Sequence, residues 1–216
     1  DSNISVKPTH IGLDISMDLA FENFKKLVEK ASESSNFLRI DMESSKNTDS
    51  TFKIYDDLFK IYSKVGVVLQ AYLKRSVADI EMLAGPGFNA RICKGIYKED
   101  KNIAYQNPED IRKNFLAIAK IMLAKNSYAC YATHDLQLID DLISLTNDMD
   151  ADPSKFEFQV LYGVPMKGKL KKLLKSGYKV RVYVPYGPDW YEYSLRRLKE
   201  NPNIAGYVIK NLFAKK

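Results

Sequence analysis

Residues 37–72 read FLRIDMESSKNTDSTFKIYDDLFKIYSKVGVVLQAY, and the hydrophobic period changes twice within them. Residues 37–41 are a short run of β-formers that ends on a carboxylate, Asp41. Ile54, Tyr55, Leu58, Ile61, Tyr62 and Val65 then recur at helical spacing, and residues 66–72 return to a compact apolar run. A strand, a helix and a strand in this order predict a βαβ unit of roughly 30 residues.

The alternation continues in both directions. Residues 4–7, 90–94, 128–133, 156–162 and 179–184 read as further strands. Met17, Ala20, Phe21, Phe24, Leu27, Val28 and Ala31 mark one helix face, with Ser16 as its N-cap. Ile111, Phe115, Ile118, Ala119 and Met122 mark another just after Pro108, and Leu136, Ile139, Leu142, Ile143 and Thr146 a third. A shorter helix over 77–84 ends at Gly85-Pro86-Gly87. About seven strand–helix units without adjacent hairpins predict an α/β fold with a parallel sheet whose strands are apolar on both faces. Seven units suit an open doubly wound sheet, or a (β/α)8 TIM-type barrel lacking one unit. The sequence does not start with Met and enters a strand-like run almost at once, which favours the second reading and a natural N-terminus further upstream. Residues 1–216 are expected to form a single domain.

Composition narrows the class. The 216 residues are 45% hydrophobic and 28% charged, which excludes a disordered tail, a collagen-like repeat and a disulfide scaffold. No uncharged run is longer than residues 65–73, far short of the roughly 20 apolar residues of a spanning helix. A net charge of +6 points to an anionic partner. Lys167, Lys169, Lys171, Lys172, Lys175 and Lys179 interleave with Leu170, Leu173 and Leu174, and a solvated helix face explains them more simply than a nucleic-acid stripe. Cys93 and Cys130 stand apart, so neither a disulfide framework nor a metal site is expected, and the setting reads as cytoplasmic.

In parallel α/β folds the chemistry collects at the C-terminal ends of the strands. Those positions carry Lys7, Asp41, Gln70, Arg91, Lys94, Thr133, His134, Gln159 and Tyr183. Several cations around one centre call for an anionic cofactor or substrate. A second constellation lies in WYEYSLRRLKEN, residues 190–201, where Tyr193, Arg196, Arg197 and Glu200 share one helix face at i, i+3, i+4 and i+7. Glu200 balances one guanidinium, and the other asks for a carboxylate or phosphate.

The segments ISVKPTHIGLDIS, LRIDMESS, VVLQAYL, RICKGIY, ATHD, FEFQVLYG and VRVYVPYGPDWYEYSLRRLKEN, in this order over essentially the whole chain, resemble proline dehydrogenase, the flavin enzyme of proline catabolism. The likeness is strongest to the short monofunctional bacterial form. Its specificity lies in R-x-x-K-G-x-Y combined with Y-x-x-R-R-x-x-E-N. The resemblance implies a (β/α)8 barrel without its N-terminal arm and first strand, FAD as cofactor, and oxidation of L-proline to 1-pyrroline-5-carboxylate. It implies that Arg196, Arg197 and Lys7 clamp the proline carboxylate, that Glu200 sits near the amine, and that Tyr97, Tyr183, Tyr193 and Leu161 wall the ring. Asp41 and Arg91 would stand beside the isoalloxazine as the catalytic pair. Met42, Gln70, Lys94, Gly95, Thr133, His134 and Gln159, with Arg91, would contact FAD. A quinone or other electron acceptor is implied, with peripheral contact at the inner face of the membrane left open. No nucleic acid and no metal are expected. Two rival readings are an aldolase-type lyase acting on a phosphorylated substrate through Lys7 or Lys94, and a basic nucleic-acid-binding module.

Overall fold

The computed structural model describes residues 2–187. Seven strands, β1 (Asn3–Val6), β2 (Phe37–Ile40), β3 (Val65–Gln70), β4 (Asn89–Cys93), β5 (Tyr128–Ala132), β6 (Phe156–Leu161) and β7 (Val180–Tyr183), pair in parallel in sequential order. Six helices alternate with them: α1 (Met17–Glu33), α2 (Thr48–Phe59), α3 (Ser76–Leu83), α4 (Pro108–Ala124), α5 (Leu136–Asp148) and α6 (Lys169–Lys175). Sequential order excludes the doubly wound alternative, in which the strand order reverses at a switch point. Seven sequential parallel strands agree with the expected barrel that lacks its first strand, and β1 and β7 are the two edges of the sheet, so the described residues do not close into a full eight-stranded barrel. The sheet is nevertheless strongly curled. Arg91 of β4 reaches across it to Ser5 Oγ on β1 at 3.0 Å. Its guanidinium carbon stands 5.4 Å from the centroid of the Tyr183 ring on β7. A cavity between the two edges is lined by Asn3 and Ser5 on one side and Arg181 and Tyr183 on the other.

The strands are not apolar on both faces, and this corrects the sequence reading. Leu38, Ile40, Val67, Leu69, Ala90, Ile92, Ala129, Tyr131, Phe156 and Phe158 point outward and are buried beneath the helices. The alternate positions, which face the concave side, are largely polar: Arg39, Asn89, Arg91, Glu157, Gln159 and Arg181. Period-2 alternation was therefore present in LRID, FEFQVL and VRVY, with both faces largely buried in the first two, for different reasons. The helices answer the outer face. Ser16 caps α1 by accepting from the Leu19 amide at 3.1 Å, and Ala20, Phe24, Val28 and Ala31 fall on its buried side. Asn107 caps α4, with Pro108 in its first turn where a missing N–H costs nothing. Each large apolar side chain buried in this layer contributes about 1.5–3 kcal/mol.

One helix boundary differs from its periodicity. Ile61, Tyr62 and Val65 continue the α2 spacing, but α2 ends at Phe59 and Val65 opens β3. The intervening Ile61 is half exposed, so its place in the apolar series is coincidental.

The floor of the concave side holds a buried cation. Arg39, 1% exposed, donates from Nη1 to the carbonyls of Val67 (2.8 Å) and Asn89 (2.9 Å), and from Nη2 to Asn89 Oδ1 (2.5 Å). Burial pulls its pKa down to about 10. Gly66 makes room for it: a Cβ there would stand 2.3 Å from the Asn89 carbonyl oxygen and 2.6 Å from Arg39 Nη1.

Candidate active site

Where the strands end, the chain turns outward and leaves a cleft of about 450 Å³. Each predicted site residue within 2–187 lines it: Lys7, Asp41, Met42, Gln70, Arg91, Lys94, Gly95, Tyr97, Thr133, His134, Gln159, Leu161 and Tyr183. Tyr193, Arg196, Arg197 and Glu200 lie outside the described residues.

Arg91 is the hub. It donates from Nη1 to Asp41 Oδ1 (2.7 Å), from Nη2 to Ser5 Oγ (3.0 Å) and from Nε to Gln159 Oε1 (2.7 Å). A guanidinium has five N–H donors, so two remain for a ligand among the described residues. Asp41 sits one residue past β2, pinned there by its amide donating to the Val6 carbonyl at 2.9 Å.

Lys7 follows β1 on the lining of the same cleft. It donates to the Tyr97 hydroxyl at 3.3 Å and lies 5.9 Å from the centroid of that ring. Among the described residues no carboxylate pairs with it, which leaves its charge available to an anion. Lys94 is different: it pairs with Asp135, which also accepts from Arg112 Nε at 2.6 Å and caps α5. Burial alone would raise the pKa of Asp135, but the hydrogen bonds from Arg112 and Lys94 hold it down at about 2.

His134 Nε2 accepts the Leu161 amide at 2.9 Å, and burial lowers its pKa. It is a neutral imidazole at pH 7 with its proton on Nδ1, a donor at the cleft wall. Thr133 Oγ1 accepts the Asp135 amide at 3.1 Å. Burial pushes the Cys93 thiol up to about 11, so this cleft residue is not a thiolate at neutral pH.

Two observations test the cleft against a large cofactor with a polar ring edge. Gln70 Oε1 is buried on the cleft and accepts no hydrogen bond, so it fits a ligand N–H. Gly95 has φ 103°, and a Cβ there would lie 2.1 Å from Tyr72 Cδ1. The loop after β4 can therefore follow the cleft wall this closely only with glycine. Val68, Ile96, Ala132 and Val160 complete an apolar lining. Together with the donors on Arg91 and His134, these residues fit a flavin.

Sequence reasoning missed Ser5, Arg112 and Asp135, and on the floor Arg39, Glu157 and Arg181. Ser5 and Glu157 carried a usable signal, since they share a strand face with Lys7 and Gln159. Asp135 carried one as an N-cap. Arg112 carried none, because its partner arrives from a different unit.

A family model described as proline dehydrogenase matches residues 1–209. Proline dehydrogenase 2 of Bacillus subtilis is 39% identical over 215 residues, covering 100% of this chain and 71% of that protein. Proline dehydrogenase of Deinococcus radiodurans is 35% identical, covering 97% and 69%. Among solved structures, proline utilization A from Bdellovibrio bacteriovorus superposes with a TM-score of 0.82 at 24% identity, over 91% of this chain and 24% of that one. That last likeness concerns the fold.

Proposed function

The chain belongs to the proline dehydrogenase family, and on that premise we propose how its residues carry the oxidation of L-proline to 1-pyrroline-5-carboxylate. It is an oxidoreductase of that family, which sets aside the aldolase-type and nucleic-acid readings. The finer reading rests on one observation: the strand-end residues singled out from the sequence line a single cleft. In this reading residues 1–216 act as one domain, in a cytoplasmic setting.

FAD, when bound, supplies the hydride acceptor for the carbon beside the proline nitrogen. Met42, Gln70, Lys94, Gly95, Thr133, His134 and Gln159 line the cleft and would hold it there. Arg91 has two N–H groups left, and these would face the hydride-accepting group, where negative charge builds up, and stabilise it. Asp41, Ser5 and Gln159 fix that guanidinium beforehand, so no reorganisation is needed at the moment of reaction. Asp41 also keeps the pair neutral overall before any ligand arrives.

Lys7 attracts the proline carboxylate, and Tyr97 aims the ammonium by accepting one of its protons. By the family resemblance Arg196 and Arg197 would complete the carboxylate clamp, Glu200 would serve the amine and Tyr193 the small apolar ring, all four outside the described residues. Tyr183 and Leu161 on the cleft would wall the same ring. Placing the reacting carbon by its carboxylate from one side and by its ring from the other is the positioning such a transfer requires. A quinone or other electron acceptor completes turnover. No helix among the described residues is long and apolar enough to cross a membrane.

The test is the visible spectrum of the full-length protein with FAD, before and after anaerobic L-proline. A bound flavin spectrum that bleaches with proline is the expected result. A bound flavin indifferent to proline would remove the substrate from this reading, and a protein that binds no flavin would remove the cofactor.

A further inference from the structure

Beneath the cleft, on the concave side, Glu157 is 1% exposed and carries more bonds than charge balance requires. Arg181 donates to it as a fork, Nε to Oε1 at 2.7 Å and Nη2 to Oε2 at 3.1 Å. The Tyr128 hydroxyl donates to Oε2 at 3.0 Å, and Lys179 Nζ stands 3.4 Å away. These partners already neutralise the carboxylate. The remaining bond points upward, from Gln159 Nε2 to Glu157 Oε1 at 2.6 Å.

Gln159 thus lies between a group that only accepts and a group that only donates. Its amide nitrogen faces the Glu157 carboxylate, and its carbonyl oxygen faces Arg91 Nε at 2.7 Å. Gln159 is itself 4% exposed, so water does not compete for either end. A primary amide can rotate by half a turn at almost no change in shape. Only the chemistry of its two partners selects the orientation.

We propose that Glu157 is a positioning residue for the reaction: by holding the Gln159 amide in one orientation it fixes Arg91 over the cleft. The inference rests on the reading of Arg91 as the group that meets developing charge at FAD. With a neutral amide in place of the carboxylate, residue 157 can donate as well as accept, and both orientations of Gln159 become available. In the rotated one, the Gln159 amide donors confront Arg91 Nε–H, donor against donor. Arg91 then loses one of its three holds and aims less well. The burial of Glu157 and its pKa of about 2 agree with a carboxylate that stays ionised throughout the working range, so it is a fixed acceptor and takes no part in proton transfer.

The experiment uses the full-length protein loaded with FAD and L-proline as substrate. Glu157→Gln should lower kcat roughly tenfold while KM for proline stays within about twofold, since carboxylate binding is untouched. The flavin reduction potential should move to a more negative value. In the FAD-free protein, the side-chain amide resonances of Gln159 (identified by their loss in Gln159→Met) should shift and broaden. In a Gln159→Met background the same Glu157→Gln change should cost nothing further in kcat, because the relay is already cut. Tyr128→Phe, which removes a bond on the far side of the same carboxylate, should lower Tm and leave kcat and potential in place. Should Glu157→Gln fail to fold, Glu157→Asp keeps a charge among Arg181 and Lys179 but draws the shared oxygen back from Gln159 and Arg181 alike, and the same kcat loss is expected.

Unchanged kcat and potential in Glu157→Gln or Glu157→Asp would overturn the proposal, as would an equal loss in both backgrounds. Wild-type protein that binds FAD but is not bleached by proline would take down the functional reading and this inference together. A bleaching wild type with an indistinguishable variant would take down this inference alone.

Discussion

Phe158 and Gln159 are consecutive in β6, yet they serve opposite sides of the sheet. Phe158 packs against Tyr131, Phe156 and Tyr178 with ring centroids 5.5, 6.3 and 5.6 Å away, under the helices. Gln159 looks into the concave side, between Glu157 and Arg91. Both are almost fully buried. The outer side earns its stability from area removed from water, which tolerates any well-packed apolar shape. The inner side depends on donors and acceptors matched one to one, where a single wrong partner leaves a buried polar group unpaired. Stability and chemistry are thereby assigned to alternate residues of the same strands.

Substitutions on the two sides should therefore separate in what they change. The largest effect belongs to the outer side: Phe158→Ala should cost about 3–5 kcal/mol in denaturant unfolding. The rate of flavin reduction by proline in the folded fraction should stay near that of the wild type. A loss below about 1 kcal/mol would break the contrast.

Acid comes next, and it acts on the inner side and its rim. Glu157 and Asp135 are held at about 2, against ordinary values of 4.5 and 3.8. Folded pKa values below the unfolded ones mean that their contribution is complete above pH 4.5 and is lost as pH falls toward 2. Unfolding free energy measured across that window should fall with pH, and Glu157→Gln should flatten the slope. Parallel profiles for the two proteins would contradict the assignment.

Gly95→Ala probes the cleft wall. Its Cβ would meet the buried Tyr72 ring at 2.1 Å in a backbone conformation that disfavours side chains. We expect FAD affinity to drop by at least about tenfold, some 1.4 kcal/mol, read by fluorescence titration. An unchanged Kd would move the cofactor away from this loop. The smallest effect is at Ser5→Ala, which removes the weakest of the three holds on Arg91. A loss of kcat of about two- to fivefold, with Tm unchanged, is expected from removing one hydroxyl acceptor while Asp41 and Gln159 still hold the guanidinium.

The same contrast explains how much was readable in the sequence. Strand positions and the polar residues at their ends were legible, because local periodicity and the strand-end rule suffice to place Asp41, Gln70, Arg91 and Gln159. The polar floor was not, because Arg39, Glu157 and Arg181 were averaged into strands taken as apolar on both sides. Their partners come from different strands, and pairing across a sheet is invisible in a local window. The curl was expected from the barrel reading, but the contact across it was not legible: Ser5 and Tyr183 both meet Arg91 although they stand at opposite ends of the strand order. The end of α2 was lost to a coincidence of spacing at Ile61 and Tyr62.

Arg91 joins the inner side to the chemistry, so its variant tests the account most directly. Stopped-flow reduction of the bound flavin by L-proline under anaerobic conditions should be compared in wild type and Arg91→Met, both saturated with FAD. The variant should keep its flavin and be reduced about 10²–10³-fold more slowly. A variant reduced at the wild-type rate would contradict this.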